Sequence, residues 1–142
     1  MILPDVNVLI YAHREQAPDH DRYREWLVNV GRGPEPYGYS ELVLSSFLRI
    51  VTSTRIFPKP TPLEQALEFV TRLREPVQAV RISPGFRHWS IFADLCQRSN
   101  AKGNLVPDAY LAALAIESGS EWITTDRDFA RFPGLRWRHP LE

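Results

Sequence analysis

The run Gly103-Asn104-Leu105-Val106-Pro107-Asp108-Ala109-Tyr110-Leu111-Ala112-Ala113-Leu114-Ala115 constrains the fold more than any other stretch of the chain. Alanine and leucine dominate it, Leu111, Leu114 and Ala115 share one face at helical spacing, and Pro107 suits a first turn, where its missing N–H costs nothing. The spacing predicts a well-buried helix ending near Ser118-Gly119. Directly after it, Glu121-Trp122-Ile123-Thr124-Thr125 is rich in β-branched and aromatic residues and is the clearest strand in the sequence. A buried helix that feeds a strand calls for a layered α/β fold.

The rest of the chain repeats that alternation. Ile2-Leu3 begins a short strand, with Pro4 at a strand end or edge because it has no N–H to donate. Val8 through Ala12 reads as a first helix, and Asp19 through Val30 as a second carrying Tyr23, Trp26, Leu27 and Val30 inward. Within it, Asp19-His20-Asp21 fans outward and reads as capping and solvation rather than as a metal site. Tyr37-Gly38-Tyr39 is a short strand, Ser40 caps a helix to about Val51, and Thr54 through Pro62 is a proline-rich connector. Leu63 to Leu73 is helical, Val77 to Ile82 alternates as a half-buried strand does, and a helix from about Gly85 to Asn100 presents Trp89, Phe92, Ala93 and Cys96 as its apolar stripe. Leu135 to His139 reads as an edge strand with Trp137 inward. The expected architecture is one α/β domain over residues 1–142, three layers α/β/α around a central, mostly parallel sheet.

Four carboxylates stand at comparable places in this pattern. Asp5 follows the first strand, Glu41 opens the helix after Ser40, Asp108 sits in the first turn of the alanine-rich helix, and Asp126 follows the Trp122–Thr125 strand. In an open parallel sheet, the C-ends of strands and the starts of the following helices share one rim, which is where ligands bind. Three of these acids also have a plain structural role available: Asp5 reads equally as the cap of the first helix, Asp108 and Glu41 as dipole-friendly first-turn acids. Together they need more, because two carboxylates about 4 Å apart repel by roughly 4 kcal/mol at an effective dielectric near 20. Such a cluster takes up protons, borrows Arg or Lys, or holds a cation, and oxygen-only donors select a hard ion such as Mg²⁺ or Mn²⁺.

Composition narrows the field. Cys96 is alone, which excludes an internal disulfide and a cysteine zinc site. No run approaches the ~20 apolar residues of a membrane span, and Met1 to Asp5 lacks the parts of a signal peptide, so the chain reads as cytoplasmic with no membrane partner. Seventeen basic residues balance seventeen acidic ones, which argues against binding nucleic acid through bulk charge. Any RNA affinity must be local.

The ordered set Asp5-Val6-Asn7, Ser40-Glu41, Pro107-Asp108-Ala109-Tyr110-Leu111-Ala112-Ala113 and Thr124-Thr125-Asp126-Arg127-Asp128-Phe129 resembles the motifs of PIN-domain ribonucleases, in particular VapC-type toxins of bacterial toxin–antitoxin pairs. The resemblance spans essentially the whole chain. It implies an endoribonuclease in which Asp5, Glu41, Asp108 and Asp126 hold one or two Mg²⁺ or Mn²⁺ ions, with Glu41 as ligand or water orienter. Asn7 and Thr125 would orient these groups, with Asp128 behind them. It further implies homodimerisation, an RNA substrate, and silencing by a cognate VapB-type antitoxin.

Two other readings are weighed beside it. A response-regulator receiver needs a mid-chain phosphoacceptor Asp and a late Lys, yet no Asp lies between Asp21 and Asp94 and the last lysine is Lys102. A catalytically silent PIN-like domain that binds RNA or a partner would have no use for four acids on one rim.

Overall fold

The computed structural model describes all of residues 1–142. Five strands form a single sheet: β1 (Ile2–Pro4), β2 (Tyr37–Tyr39), β3 (Ala79–Arg81), β4 (Glu121–Ile123) and β5 (Trp137–Arg138). Six helices accompany them: α1 (Val6–His13), α2 (His20–Arg32), α3 (Glu41–Val51), α4 (Leu63–Arg74), α5 (His88–Ser99) and α6 (Leu105–Ser118), with a short 3-10 helix at Arg127–Arg131. The strand order is β3-β2-β1-β4-β5 and every pairing is parallel, so the sheet is wholly rather than mostly parallel.

Alternate side chains of a strand point to opposite faces, and the apolar core divides accordingly. Leu3 and Trp122 join a larger cluster with Phe47 of α3, Val70 of α4, Leu95 of α5 and Leu114 of α6. Ile123 joins a smaller one with Val8 and Ala12 of α1 and Tyr23 of α2. Helices therefore cover both faces, giving the three layers expected. Trp122 and Phe47 are fully buried, and at 25 cal/mol per Å² such a side chain contributes about 3 kcal/mol or more of hydrophobic stabilisation.

Pro4 ends the central strand. The Asp5 N–H bonds the Ile123 carbonyl at 2.8 Å, so by the alternation of the ladder the donor that Pro4 lacks falls on the β2 side. There the β1–β2 register is Ile2 against Tyr37 and goes no further, and the proline sits where no N–H is called for. Gly38 lets the sheet close on its other side: a Cβ at that position would lie 2.9 Å from Ile82 and 3.3 Å from the Ile2 carbonyl oxygen.

Two expectations need correction. The strand read over Val77–Ile82 is only Ala79–Arg81, at the sheet's edge, with Val77 fully exposed. The helix expected from about Gly85 begins at His88, and Trp89 is not in the core but 69% exposed. The cause lies in α6. The Glu117 carboxylate accepts the backbone N–H groups of Gly85 (2.7 Å) and Arg87 (2.9 Å), which holds that segment out of the helix. His88 then takes the inward position: its Nε2 donates to the Tyr110 carbonyl at 2.9 Å and its ring meets the Tyr110 ring edge-on. With His88 inward, the next residue turns out. His88 is thus a packing residue.

Candidate active site

The strand order reverses between β1 and β4, and a crevice outside the strand C-ends at such a point is where open parallel sheets bind ligands. Asp5 stands there, one residue past β1, and Asp126 stands three past β4. Asp108 reaches the same rim from the first turn of α6, whose chain then runs back beneath the sheet to start β4. Sequence separation disappears in the fold: the charges of Asp108 and Asp126 both act on Asp5, and that of Asp126 acts on Asp108.

Asp5 is buried and held at both oxygens. Its Oδ1 accepts the Val6 N–H at 2.7 Å, capping α1, and its Oδ2 accepts the Thr124 hydroxyl at 2.7 Å. Thr124 is itself fully buried. Its Oγ1 also accepts the Asp126 N–H at 3.0 Å and the Asn7 side-chain amide at 3.4 Å. One hydroxyl therefore ties the first and last acids together. Thr124→Val, which keeps the shape and removes the donor, is expected to destabilise the protein by about 1–3 kcal/mol in denaturant unfolding. Thr124→Ser should restore most of that.

The electrostatics follow from burial and crowding. Burial, more than any other cause, pushes the Asp5 carboxyl up to about 6, against the bonds from Thr124 and Val6, and Asp108 and Asp126 add to it. Burial likewise raises Asp108 to about 6, with Asp126 and Asp128 adding their repulsion. None of Asp5, Asp108 and Asp126 forms an ion pair with Arg, Lys or His. No three acidic, histidine or cysteine side chains converge tightly enough to make a ready coordination group. These aspartates are near in charge without being in contact.

Glu41 does not join them. Ser40 caps α3 as expected, but the Glu41 carboxylate lies 3.2 Å from Arg74 and 3.4 Å from Arg81, and is half-exposed. The expectation placed Glu41 with the aspartates, and its carboxylate is instead engaged by two arginines. The reason is that two arginines, one ending α4 and one ending β3, offer Glu41 compensation that the aspartates lack.

The supporting residues are partly reassigned as well. Asn7 does bridge the ends of β1 and β4, donating to Thr124 and accepting the Thr125 N–H at 3.4 Å. Thr125 contributes only that N–H, and the hydroxyl that orients Asp5 is the neighbouring one. Asp126 itself caps the 3-10 helix, its Oδ1 accepting the Asp128 N–H at 2.9 Å. Asp128 lies at the exposed edge, 3.9 Å from Arg131. Thr124 was findable: a threonine two residues before an aspartate is placed to accept that residue's N–H.

A family model described as PIN domain matches residues 2–135. The chain belongs to the PIN domain family. This PIN domain is 44% identical over 142 residues to Ribonuclease VapC43 of Mycobacterium tuberculosis (strain ATCC 25618 / H37Rv), covering 100% of this chain and 97% of that relative. It is 40% identical over 140 residues to Ribonuclease VapC25 of the same strain, covering 99% of each. Its sequence relatives are thus named VapC ribonucleases, as the motifs suggested. Among solved structures it is similar to VapBC-1 from nontypeable Haemophilus influenzae, with TM-score 0.69, 19% identity and 100% of both chains covered. It is also similar to Mycobacterium tuberculosis VapC20, described as a sarcin-ricin loop cleaving toxin, with TM-score 0.64, 16% identity, and 96% of this chain and 99% of that one covered. At those identities the structural matches establish the fold alone.

Proposed function

We propose that this PIN domain is a divalent-metal-dependent endoribonuclease and the toxin of a toxin–antitoxin pair. The observation that carries the reading is the set of three aspartates at the sheet's reversal point, uncompensated by any protein cation, with two of them raised to about 6. The donor set fits Mg²⁺ or Mn²⁺: the donors are all oxygens, Asp108 accepts no hydrogen bond from the protein, and Asp126 has one oxygen free of them. Asp5, Asp108 and Asp126 would hold the ion or ions, which would supply Lewis-acid neutralisation of phosphate charge and make water nucleophilic near neutral pH. Thr124 and Asn7 keep Asp5 aimed, and the Val6 N–H keeps its second oxygen from swinging away. Full-length relatives named as ribonucleases support RNA as the substrate. The similarity to VapBC-1 supports a VapB-type antitoxin as partner, and a homodimer is proposed on the motif resemblance.

Purified protein freed of antitoxin is expected to cut RNA internally with Mg²⁺ or Mn²⁺, leaving 5′-phosphate ends, and to stop when EDTA is added. Sequencing of the ends identifies the target. Absence of metal-dependent heat in a calorimetric titration, with no cutting, would leave a binding domain instead.

A further inference from the structure

With one divalent ion bound, the three aspartates would still leave a net negative charge facing the phosphodiester that they are proposed to cut, and the chain's zero net charge supplies no general attraction. A local cationic seat is therefore required. Every ion pair in the molecule joins one acid to one base except at Glu41, where two arginines share a single carboxylate. That group carries a net positive charge. In the segment after Asp126, by contrast, Arg127 is paired with Glu142, Arg131 with Asp128 and Arg138 with Glu121, one acid to each.

Its place in the fold is set by register. Arg81 pairs with Tyr39 across β2–β3, and Tyr37 with Ile2 across β1–β2, so that register, extended past the last β1–β2 pair, sets Arg81, Tyr39 and Pro4 in one row at the C-terminal rim. Strands are ~4.8 Å apart, which puts Arg81 about 10 Å from the end of β1, where Asp5 begins. Arg74 comes to the same spot from the end of α4, with its guanidinium 5.7 Å from the centre of the Tyr39 ring. Both arginines remain about half exposed, so their unused N–H groups face solvent.

We propose that Arg74 and Arg81, held side by side by Glu41, bind the phosphate backbone of the RNA strand flanking the bond to be cut. Glu41 is a positioning residue in this arrangement. A planar guanidinium presents a fork of donors that matches a phosphate's oxygens, and two guanidinium groups already held on one carboxylate keep further donors for a phosphate without being ordered at binding. The identity of the ligand rests on the ribonuclease reading.

The test uses the full chain carrying Asp108→Asn, to block cutting, and a fluorescein-labelled single-stranded oligoribonucleotide. Adding Arg74→Gln and Arg81→Gln together should weaken binding at least tenfold at low salt. It should also lower the slope of log affinity against log salt by about 1.4, two phosphate contacts at ~0.7 each. Arg74→Lys with Arg81→Lys should keep the slope, and Arg136→Gln, at the opposite edge where that side chain bonds the Gly119 carbonyl, should change neither. In the cutting-competent chain the glutamine pair should raise KM far more than it lowers kcat. Unchanged affinity and slope would overturn the proposal, as would a loss confined to binding an acidic protein partner with RNA affinity intact. Cutting that persists with unchanged KM sinks this proposal alone; RNA binding with the full slope but no cutting by the parent sinks the ribonuclease reading alone.

Discussion

Asp108→Asn is expected to lower RNA cleavage by about 10³-fold or more while making the metal-free protein more stable at neutral pH. Both effects have one origin. Asp108 is pushed up to about 6 by burial and by its neighbours Asp126 and Asp128, so at pH 7.5 the native state carries a charge that it holds at a penalty. Asparagine keeps the size and removes the charge, relieving the repulsion on Asp5 and forfeiting an oxygen donor for the ion. Asp5→Asn should abolish cutting as fully, but its stability gain should be offset, because an amide presents only one oxygen to the Val6 N–H and the Thr124 hydroxyl. Cleavage assays with Mg²⁺, paired with thermal melts in EDTA, read both quantities. A variant that lost activity and stability together would point to misfolding; an Asp108→Asn protein that cut normally would remove the site.

The second large effect is on pH dependence. For Asp5 the folded value of about 6 lies above the ordinary 3.8, so the native state binds more protons than the unfolded chain between those limits. The associated stability is fully present below pH 3.8 and lost as pH rises through 6. A change of that size amounts to roughly 3 kcal/mol for Asp5, of which about half is recovered between pH 7.5 and pH 5. Asp108 adds in the same direction but less, since it is partly exposed and screened. The metal-free protein should therefore melt roughly 3–6 °C higher at pH 5 than at pH 7.5. Divalent ions compete with those protons, so saturating Mg²⁺ or Mn²⁺ should raise Tm more at pH 7.5 than at pH 5. A metal-free protein whose Tm fell on acidification over this range would contradict the arrangement of charges.

Much of this was legible because it is local. The alanine-rich helix and the Trp122 strand declare themselves by pattern, Ser40 caps α3 as its type suggests, and Asp5, Asp108 and Asp126 fall at strand ends and a helix start that a parallel sheet must bring to one rim. What was not legible depends on partners far away in sequence. Glu41 has the same local signature as the aspartates, and only the arrival of Arg74 and Arg81 from α4 and β3 separates it from them. Thr124 has a local signal, two residues before Asp126, but that its hydroxyl rather than that of Thr125 also reaches Asp5 depends on where β4 ends, because a shift of one residue turns a side chain to the other face. Trp89 fits the helical stripe as well as Phe92 does, and it is Glu117 and Tyr110 on the neighbouring helix that turn it outward.

The bond from Thr124 to Asp5 joins residues 119 positions apart, and β1 has its full-length pairing with β4 rather than with β2. The central strand thus waits for a segment synthesised long after it. A ribosome working at about 5–20 residues per second takes several seconds to cover that distance. Until that segment emerges the nascent chain holds Asp5 without Asp126 and without the hydroxyl that aims it, so the proposed activity waits on the segment that carries both.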